Sequence, residues 1–447
     1  MCLASMAGRL AVVYLAFGLV AIMSLVAVVP PYQFGDEVNH FKRIIQLSKG
    51  ELHGRKIGTG STGGSVNEGV HVTWLAYIHI PTHPEAKVSS VAAERVAPIR
   101  WSDYAEAPTD FRNTVIYPPV FYLPSIVTVL IGKATDLRIL ATLKLSRAFS
   151  GVTALLICGV AIWFAGSAAP YLFVILALPM TLFQMTSVSQ DGSMVACAAL
   201  AVAIFVGRRD NDDHSGWRFI AMTIAIALVA MARFPYAVLS VLVLLYPGRS
   251  LMARGIALAV IVASVMTWAY FVSDLAPLAA APGADPGQQI SMILADPLRA
   301  LWIIWRSVNI GLVETFVGRL GWLDTRLPVA FIAFAVVTLI VAAIASSGLD
   351  HRSPGRLTAL LIILGAVGGL MIIYATQLVI WTEPGGTSIH GVQGRYLTPL
   401  ALLLACAIPA TKAAHAAFLA RHALLIVSVF APISIIVMLV AVAQRYY

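Results

Sequence analysis

The stretch LAVVYLAFGLVAIMSLVAVVPPYQFGDEVNHFKR (residues 10–43) decides the fold. Its first part, Leu10 to Val29, carries no charge and is almost wholly apolar, and about 20 such residues cross a bilayer core as a helix. Pro30-Pro31 stops that helix, Gly35 permits a turn, and Asp36 to Leu47 returns as a short amphipathic helix with Phe41, Ile44, Ile45 and Leu47 towards lipid or protein. Arg9 precedes the run, which is too long for a signal-peptide core and lacks a small-residue cleavage site. It reads as an uncleaved first span with a cytoplasmic N-terminus.

The rest of the chain agrees. Of its 447 residues, 59% are hydrophobic and only 11% charged, with a mean hydropathy of +0.86, whereas soluble domains carry about 25% charged residues. A soluble globular enzyme is excluded, and the expectation is an all-α polytopic membrane protein forming a single integral membrane domain over residues 1–447. The formal charge of +9 fits bases that fix helix orientation, so nucleic acid is not expected as a partner. Cys2, Cys158, Cys197 and Cys406 are scattered without zinc or disulfide spacing.

Residues 30–116 form the one large hydrophilic block, read as a first outer (periplasmic) loop containing the juxtamembrane helix. Further apolar segments lie near 117–132, 149–165, 168–187, 192–207, 219–232, 235–246, 255–272, 327–345, 357–380, 396–411 and 422–442. Lys133, Arg138, Lys144 and Arg147, then Arg352 and Arg356, then Lys412 and Arg421, read as markers of cytoplasmic turns. Counting every segment as a span places Arg208, Arg209 and Arg218 outside, against the same rule. Either one segment between 117 and 187 does not span, which is preferred because it keeps Arg208 and Arg209 inside, or 219–246 is one helix kinked at Arg233-Phe234-Pro235. Both give about eleven spans and an outer C-terminus. A second outer loop covers 273–327, with a flexible part from Ala279 to Gln288 and an interfacial helix from Ile290 to Leu320 bearing Trp302, Trp305 and Arg306. No repeat suggests the paired halves of a secondary transporter.

Several polar residues are candidates for chemistry. Asp36 and His40 are four residues apart and Glu37 and His40 three, so two carboxylates and an imidazole share one side of the juxtamembrane helix. A carboxylate there can act as general base towards a hydroxyl, and Lys42 and Arg43 one turn on can hold a phosphate. An ordinary interfacial helix with acids first and bases later has the same pattern. Arg147 is either a phosphate contact or a membrane anchor, and Asp191 either a helix cap or a site residue. Arg233 lies between two apolar halves and needs a carboxylate, water or lipid phosphate. His390, Gln393, Arg395 and Tyr396 gather at the mouth of a span, where the planar guanidinium of Arg395 suits a phosphate. Arg319, Trp322, Asp324 and Arg326 fit either the rim of a site or an interfacial ion pair. His71, His79 and His83 lack ligand spacing, so no metal site is expected there.

The block PPYQFGDEVNHFKRIIQLSKGEL (30–52), Tyr117 to Pro124, LPMTLFQMTSVSQDG (178–192), GRLGWLDTRLP (318–328) and GVQGRYLTPL (391–400) together resemble a family of bacterial predicted membrane proteins of unknown function. That family in turn resembles the GT-C superfamily of glycosyltransferases, membrane enzymes that take a sugar from a polyprenyl-phosphate carrier. The resemblance implies a GT-C-like bundle in the bacterial cytoplasmic membrane with its active site on the outer face, and an acidic residue of the first outer loop acting at the acceptor. Asp36 and Glu37 match that position.

These readings combine into inverting hexosyl or pentosyl transfer from a polyprenyl-phosphate-linked sugar to a hydroxyl of a glycan or lipid acceptor. Asp36 is the expected base, Glu37 and His40 orient the acceptor, and Arg395, with Arg233 or Lys42, stabilises the departing phosphate. A divalent cation is compatible with this chemistry, though no residue pattern demands one. The alternatives are a transporter or flippase of lipid-linked saccharides, and a non-catalytic assembly subunit.

Overall fold

In a computed structural model describing residues 3–58, 60–211, 215–275, 283–309, 311–349 and 353–447, α1 (Leu3–Val28) runs to the two prolines that end it. Asp36 then adopts a left-handed backbone and α2 (Glu37–Leu47) starts one residue later than expected. The apolar side of α2 packs into protein, since Phe41, Ile44, Ile45 and Leu47 are all buried. The first loop also holds strands that the sequence did not reveal. β1 (Arg55–Gly58), β2 (Ser61–Asn67) and β3 (Glu106–Asp110) form an antiparallel sheet in the order β1-β2-β3. Between β2 and β3 lie α3 (Glu68–Leu75) and α4 (Ser90–Val96).

Beyond the loop come α5 (Leu123–Ala134), α6 (Ile139–Phe164), α7 (Ala169–Leu176), α8 (Pro179–Thr186), α9 (Asp191–Asn211) and α10 (Gly216–Ala232). A 3-10 stretch (Phe234–Ser240) leads into α11 (Val241–Leu245), and α12 (Leu251–Phe271) follows. The second loop holds α13 (Pro286–Ala295), α14 (Pro297–Ser307), α15 (Gly311–Gly318) and the small pair β4 (Arg319–Leu320) and β5 (Thr325–Arg326). Then come α16 (Val329–Leu349), α17 (Arg356–Trp381), α18 (Thr398–Leu404) and α19 (Ala414–Tyr446). Among the described residues 72% are helical, and seven helices are long and apolar enough to cross a membrane, or up to nine if two bent pairs each count as one. The protein is therefore a polytopic helical membrane protein.

Contacts sort the helix ends into two groups. The first loop meets the end of α19, where Arg445 donates to the carbonyls of Ala86 and Ile80, both at 2.8 Å. It also meets the end of α12, where the Trp268 indole N–H donates to the Ile116 carbonyl at 2.8 Å. At the opposite end Arg208 lies over the Tyr246 ring, 4.9 Å from its centroid, and the Thr411 amide donates to the Ser347 carbonyl at 3.0 Å. Helices α1 and α6 pack antiparallel, with Gly18 against Leu155, Gly151 against Ile22 and Gly159 against Leu15. Small residues let two helices approach closely where lipid offers no hydrophobic drive.

This arrangement corrects the reading of Lys133, Arg138, Lys144 and Arg147 as a cytoplasmic turn. Lys133 pairs with Glu106 of β3 at 3.4 Å, Arg100 donates to the Asp136 carbonyl at 2.6 Å, and Arg147 holds the carbonyls that end α1. The α5–α6 turn thus sits on the first-loop side: α5 does not cross the bundle, and acids in the loop recruit the bases that charge counting sends to the other face. The segment 168–187 is likewise not one straight helix. It breaks at Pro179, where α7 and α8 differ in direction by 76°. Ile290 to Leu320 is three short helices rather than one, because Pro297 starts a new helix and Asn309 interrupts the next. Arg352, Cys2 and residues 276–282 of the expected flexible connection lie outside the described residues.

Candidate active site

At the first-loop end, Pro30-Pro31 and Gly35 fold the chain back so that Asp36 lines a cleft of about 540 Å³, its solvent-open mouth included. Asp36 caps α2 in the left-handed region (φ 58°, ψ 12°) and makes no side-chain cap hydrogen bond. Such a conformation costs a non-glycine residue roughly 1–2 kcal/mol, so the backbone around it fixes where the carboxylate points. Asn113 donates to one carboxylate oxygen at 3.1 Å. Among the described residues no cation pairs with Asp36. Gly35 beside it faces Arg395 and Gly321: a Cβ there would lie 3.6 Å from Arg395 Nη1 and 3.7 Å from the Gly321 carbonyl, ordinary contact distances.

The other polar walls of the cleft are Gln184 on α8, Ser187 and Ser189 after it, Arg319 at the start of β4, and Gln393 and Arg395. Phe34, Phe183 and Trp322 supply apolar surface. Arg395 is positioned through Gly394, where any Cβ would collide with the backbone of Leu312 and Phe316 on α15. The Gly394 amide donates to the Thr315 hydroxyl at 2.8 Å, locking that approach.

Behind this wall is a buried charge cluster. Asp191, 3% exposed, accepts from Arg233 Nη2 at 2.9 Å and lies 4.0 Å from Arg395 Nη1. Arg233 also lies over the Tyr396 ring, 4.9 Å from its centroid. Asp191 thus supplies the carboxylate that Arg233 needs in apolar surroundings, and it ties the start of α9 to the turn after α10.

His40 joins the cluster from α2. Its Nδ1 shares a 2.7 Å hydrogen bond with the Tyr122 hydroxyl, and its ring stacks on Tyr117 at 5.8 Å. Burial lowers its pKa to about 4, against the opposing pull of Asp191 and Asp36, so it is neutral at physiological pH. The folded state then binds fewer protons than the unfolded chain between about pH 4 and the ordinary histidine value near 6.5. The stability contributed is complete above about pH 6.5 and is lost as pH falls towards 4. Thermal unfolding of detergent-solubilised protein is therefore expected to shift downwards across that window, and His40→Gln should flatten this part of the profile. An unchanged pH dependence in His40→Gln would remove His40 as its source.

Other residues singled out in the sequence have structural partners. Glu37 and Arg147 are both fully buried and bind each other through two hydrogen bonds of 2.8 and 2.6 Å. Arg43 donates to Gln46 and to the carbonyls of Leu52 and Tyr117. Lys42 donates to the Asp110 carbonyl at 3.4 Å and sits over Trp74. These four anchor the first loop rather than open on the cleft. His390 is exposed and does not line it, and Asp324 is spent in a buried pair with Arg445 at 2.7 Å. Gln184 was missed. Its sequence signals are its place in the stretch LPMTLFQMTSVSQDG (178–192) and an amide among the mostly apolar residues of α8. Among the described residues no three His, Cys, Asp or Glu side chains converge as metal donors.

No curated protein and no solved structure matches the chain. The family model described as "Predicted membrane protein (DUF2142)" matches residues 17–404 and so takes in the first loop, the cleft and the charge cluster. The chain belongs to this DUF2142 family of predicted membrane proteins.

Proposed function

We propose that the protein is a GT-C-like glycosyltransferase. It moves a hexosyl or pentosyl group, with inversion, from a polyprenyl-phosphate carrier to a hydroxyl of a glycan or lipid acceptor at the outer face of a bacterial cytoplasmic membrane. The observation that carries the reading is that Asp36, a carboxylate without a cationic partner among the described residues, opens on the same cleft as the guanidinium of Arg395. Asp36 takes the acceptor proton, the acceptor oxygen bonds to the anomeric carbon, and the bond from that carbon to the phosphate oxygen breaks. The negative charge growing on the phosphate meets Arg395, and a fixed guanidinium in a site shielded from water stabilises it strongly. Glu37 and His40 support the base indirectly, by holding α2 in place. The experiment is transfer of labelled sugar from polyprenyl-phosphate donors to candidate acceptors by the purified protein. Movement of intact lipid without bond cleavage would favour a flippase instead.

In this reading the chain crosses eleven times, with the N-terminus inside and the first loop and C-terminus outside; the contacts of Arg445 support it by placing the first loop and the end of α19 on one side. Cysteines placed at Ser61 and Gly385 should be labelled from the outer face, and at Ser353 and Lys412 from the inner face. The reverse pattern for Ser61 and Ser353 would move the cleft to the cytoplasm and end the outer-face reading. Within the site, Arg395→Lys keeps the charge but loses the planar fork. It should weaken donor use less than Arg395→Ala, whereas wild-type transfer rates in both variants would make Arg395 a membrane anchor only.

A further inference from the structure

Gln184 is one of the polar cleft residues that the transfer chemistry leaves unused. It shares one face of α8 with Met180 and Phe183, and all three line the cleft, as expected for positions three and four apart on a helix. Its side chain is only 5% exposed, and its Oε1 is buried without a hydrogen-bond partner among the described residues. Its backbone is held in place by Gly192 at the start of α9, where a Cβ would meet Met185 Cα at 2.5 Å and the Gln184 carbonyl at 2.8 Å. Among the described residues Gln393 Oε1 is a second buried acceptor without a partner, while Arg319 Nε and Arg395 Nε are buried donors without one.

Each of these four atoms belongs to a residue that lines the cleft, and because buried polar groups are normally paired, the cleft suits a ligand that completes them. Two amide oxygens need hydroxyl or amide donors, and an anion suits two guanidinium groups of which Arg395 has only the Asp191 carboxylate, 4.0 Å away, and Arg319 has no carboxylate partner among the described residues. A bare phosphate satisfies only the arginines, and a prenyl chain satisfies none of the four. A sugar joined to a phosphate satisfies both sets.

We infer that Gln184 accepts a hydrogen bond from a hydroxyl of the transferred sugar and that Arg319 shares the donor phosphate with Arg395. This rests on the transferase reading and adds to it the two side chains that distinguish a glycosylated carrier from the bare one.

The test is isothermal titration of the full-length protein in detergent with two kinds of probe: a short-chain prenyl phosphate, and the same molecule carrying mannose, glucose or arabinose. Gln184→Leu and Gln184→Met should each weaken the preferred sugar-bearing probe by about tenfold, the order expected when a site built to bond a hydroxyl loses its partner, and leave the bare prenyl phosphate unchanged. Arg319→Ala should weaken both kinds of probe by about tenfold, and Arg319→Lys by less. Folded, monodisperse Gln184 variants that bind the sugar-bearing probe like wild type, or that lose both kinds equally, would overturn the sugar contact. Unchanged binding of both kinds to Arg319→Ala would remove Arg319 from the phosphate. Wild-type protein that binds none of the probes would overturn the transferase reading and this inference together, whereas normal wild-type binding with unaffected variants overturns the inference alone.

Discussion

Asp36→Asn should lower glycosyl transfer by on the order of a hundredfold or more while leaving donor binding unchanged, because a positioned general base contributes about that much to rate. The substitution isolates proton uptake. Asparagine keeps the shape of aspartate and also tolerates the left-handed backbone that residue 36 adopts. The carboxylate makes no cap hydrogen bond to α2, so the helix start does not depend on its charge. The Asn113 amide can still donate to the carbonyl oxygen of an asparagine at 36, in a weaker, neutral hydrogen bond. Arg395 and Arg319 are untouched, which is why the affinity for a prenyl-phosphate sugar should hold. The measurement is the initial rate of transfer at saturating donor, beside a titration of the donor alone. Full activity in a well-folded Asp36→Asn protein would sink the assignment of the base. A variant that loses donor affinity and rate together would place Asp36 in donor binding instead.

Much of this architecture is legible in the sequence where the physics is local. The apolar run of α1 and the prolines after it mark a span and its end, and the large hydrophilic block that follows marks the loop. Asp36, Gln393 and Arg395 stand out as polar residues at the mouths of apolar segments, and all three line the cleft. What the sequence conceals is pairing over distance. Glu37 and Arg147 are 110 residues apart, and nothing in either neighbourhood shows that each is the other's partner. The bases from Lys133 to Arg147 mislead for the same reason, since Glu106 and Glu37, which hold two of them at the first-loop end, lie far away in the chain. β2 reads STGGSVN, small and polar without a clear alternation, so strand periodicity gives it no signal. Gln184 is hidden because one amide in an apolar helix is equally a packing residue until the neighbouring walls are known.

The buried pair gives the largest expected effect on stability. Arg147 donates to both carboxylate oxygens of Glu37 and to the carbonyls of Val29 and Pro30, and its guanidinium lies 4.6 Å from the centre of the Phe34 ring. It thus joins α6 to the end of α1 and to the first residue of α2, the three points that set where Asp36 stands. Arg147→Ala leaves a carboxylate buried without its cation and carbonyls without their donor, a change that costs about 3–5 kcal/mol. The variant should show a much lower unfolding midpoint or fail to yield monodisperse protein. Pairing it with Glu37→Gln removes the stranded charge, and because replacing both members of a buried ion pair is far milder than removing one, Glu37→Gln/Arg147→Met should recover a large part of the loss. Thermal unfolding of the single and double variants in the same detergent makes the comparison. If Arg147→Ala unfolds at the wild-type temperature yet no longer binds a prenyl-phosphate sugar, then Arg147 is a donor-phosphate contact, and the ion pair with Glu37 is not what fixes the first loop to the bundle.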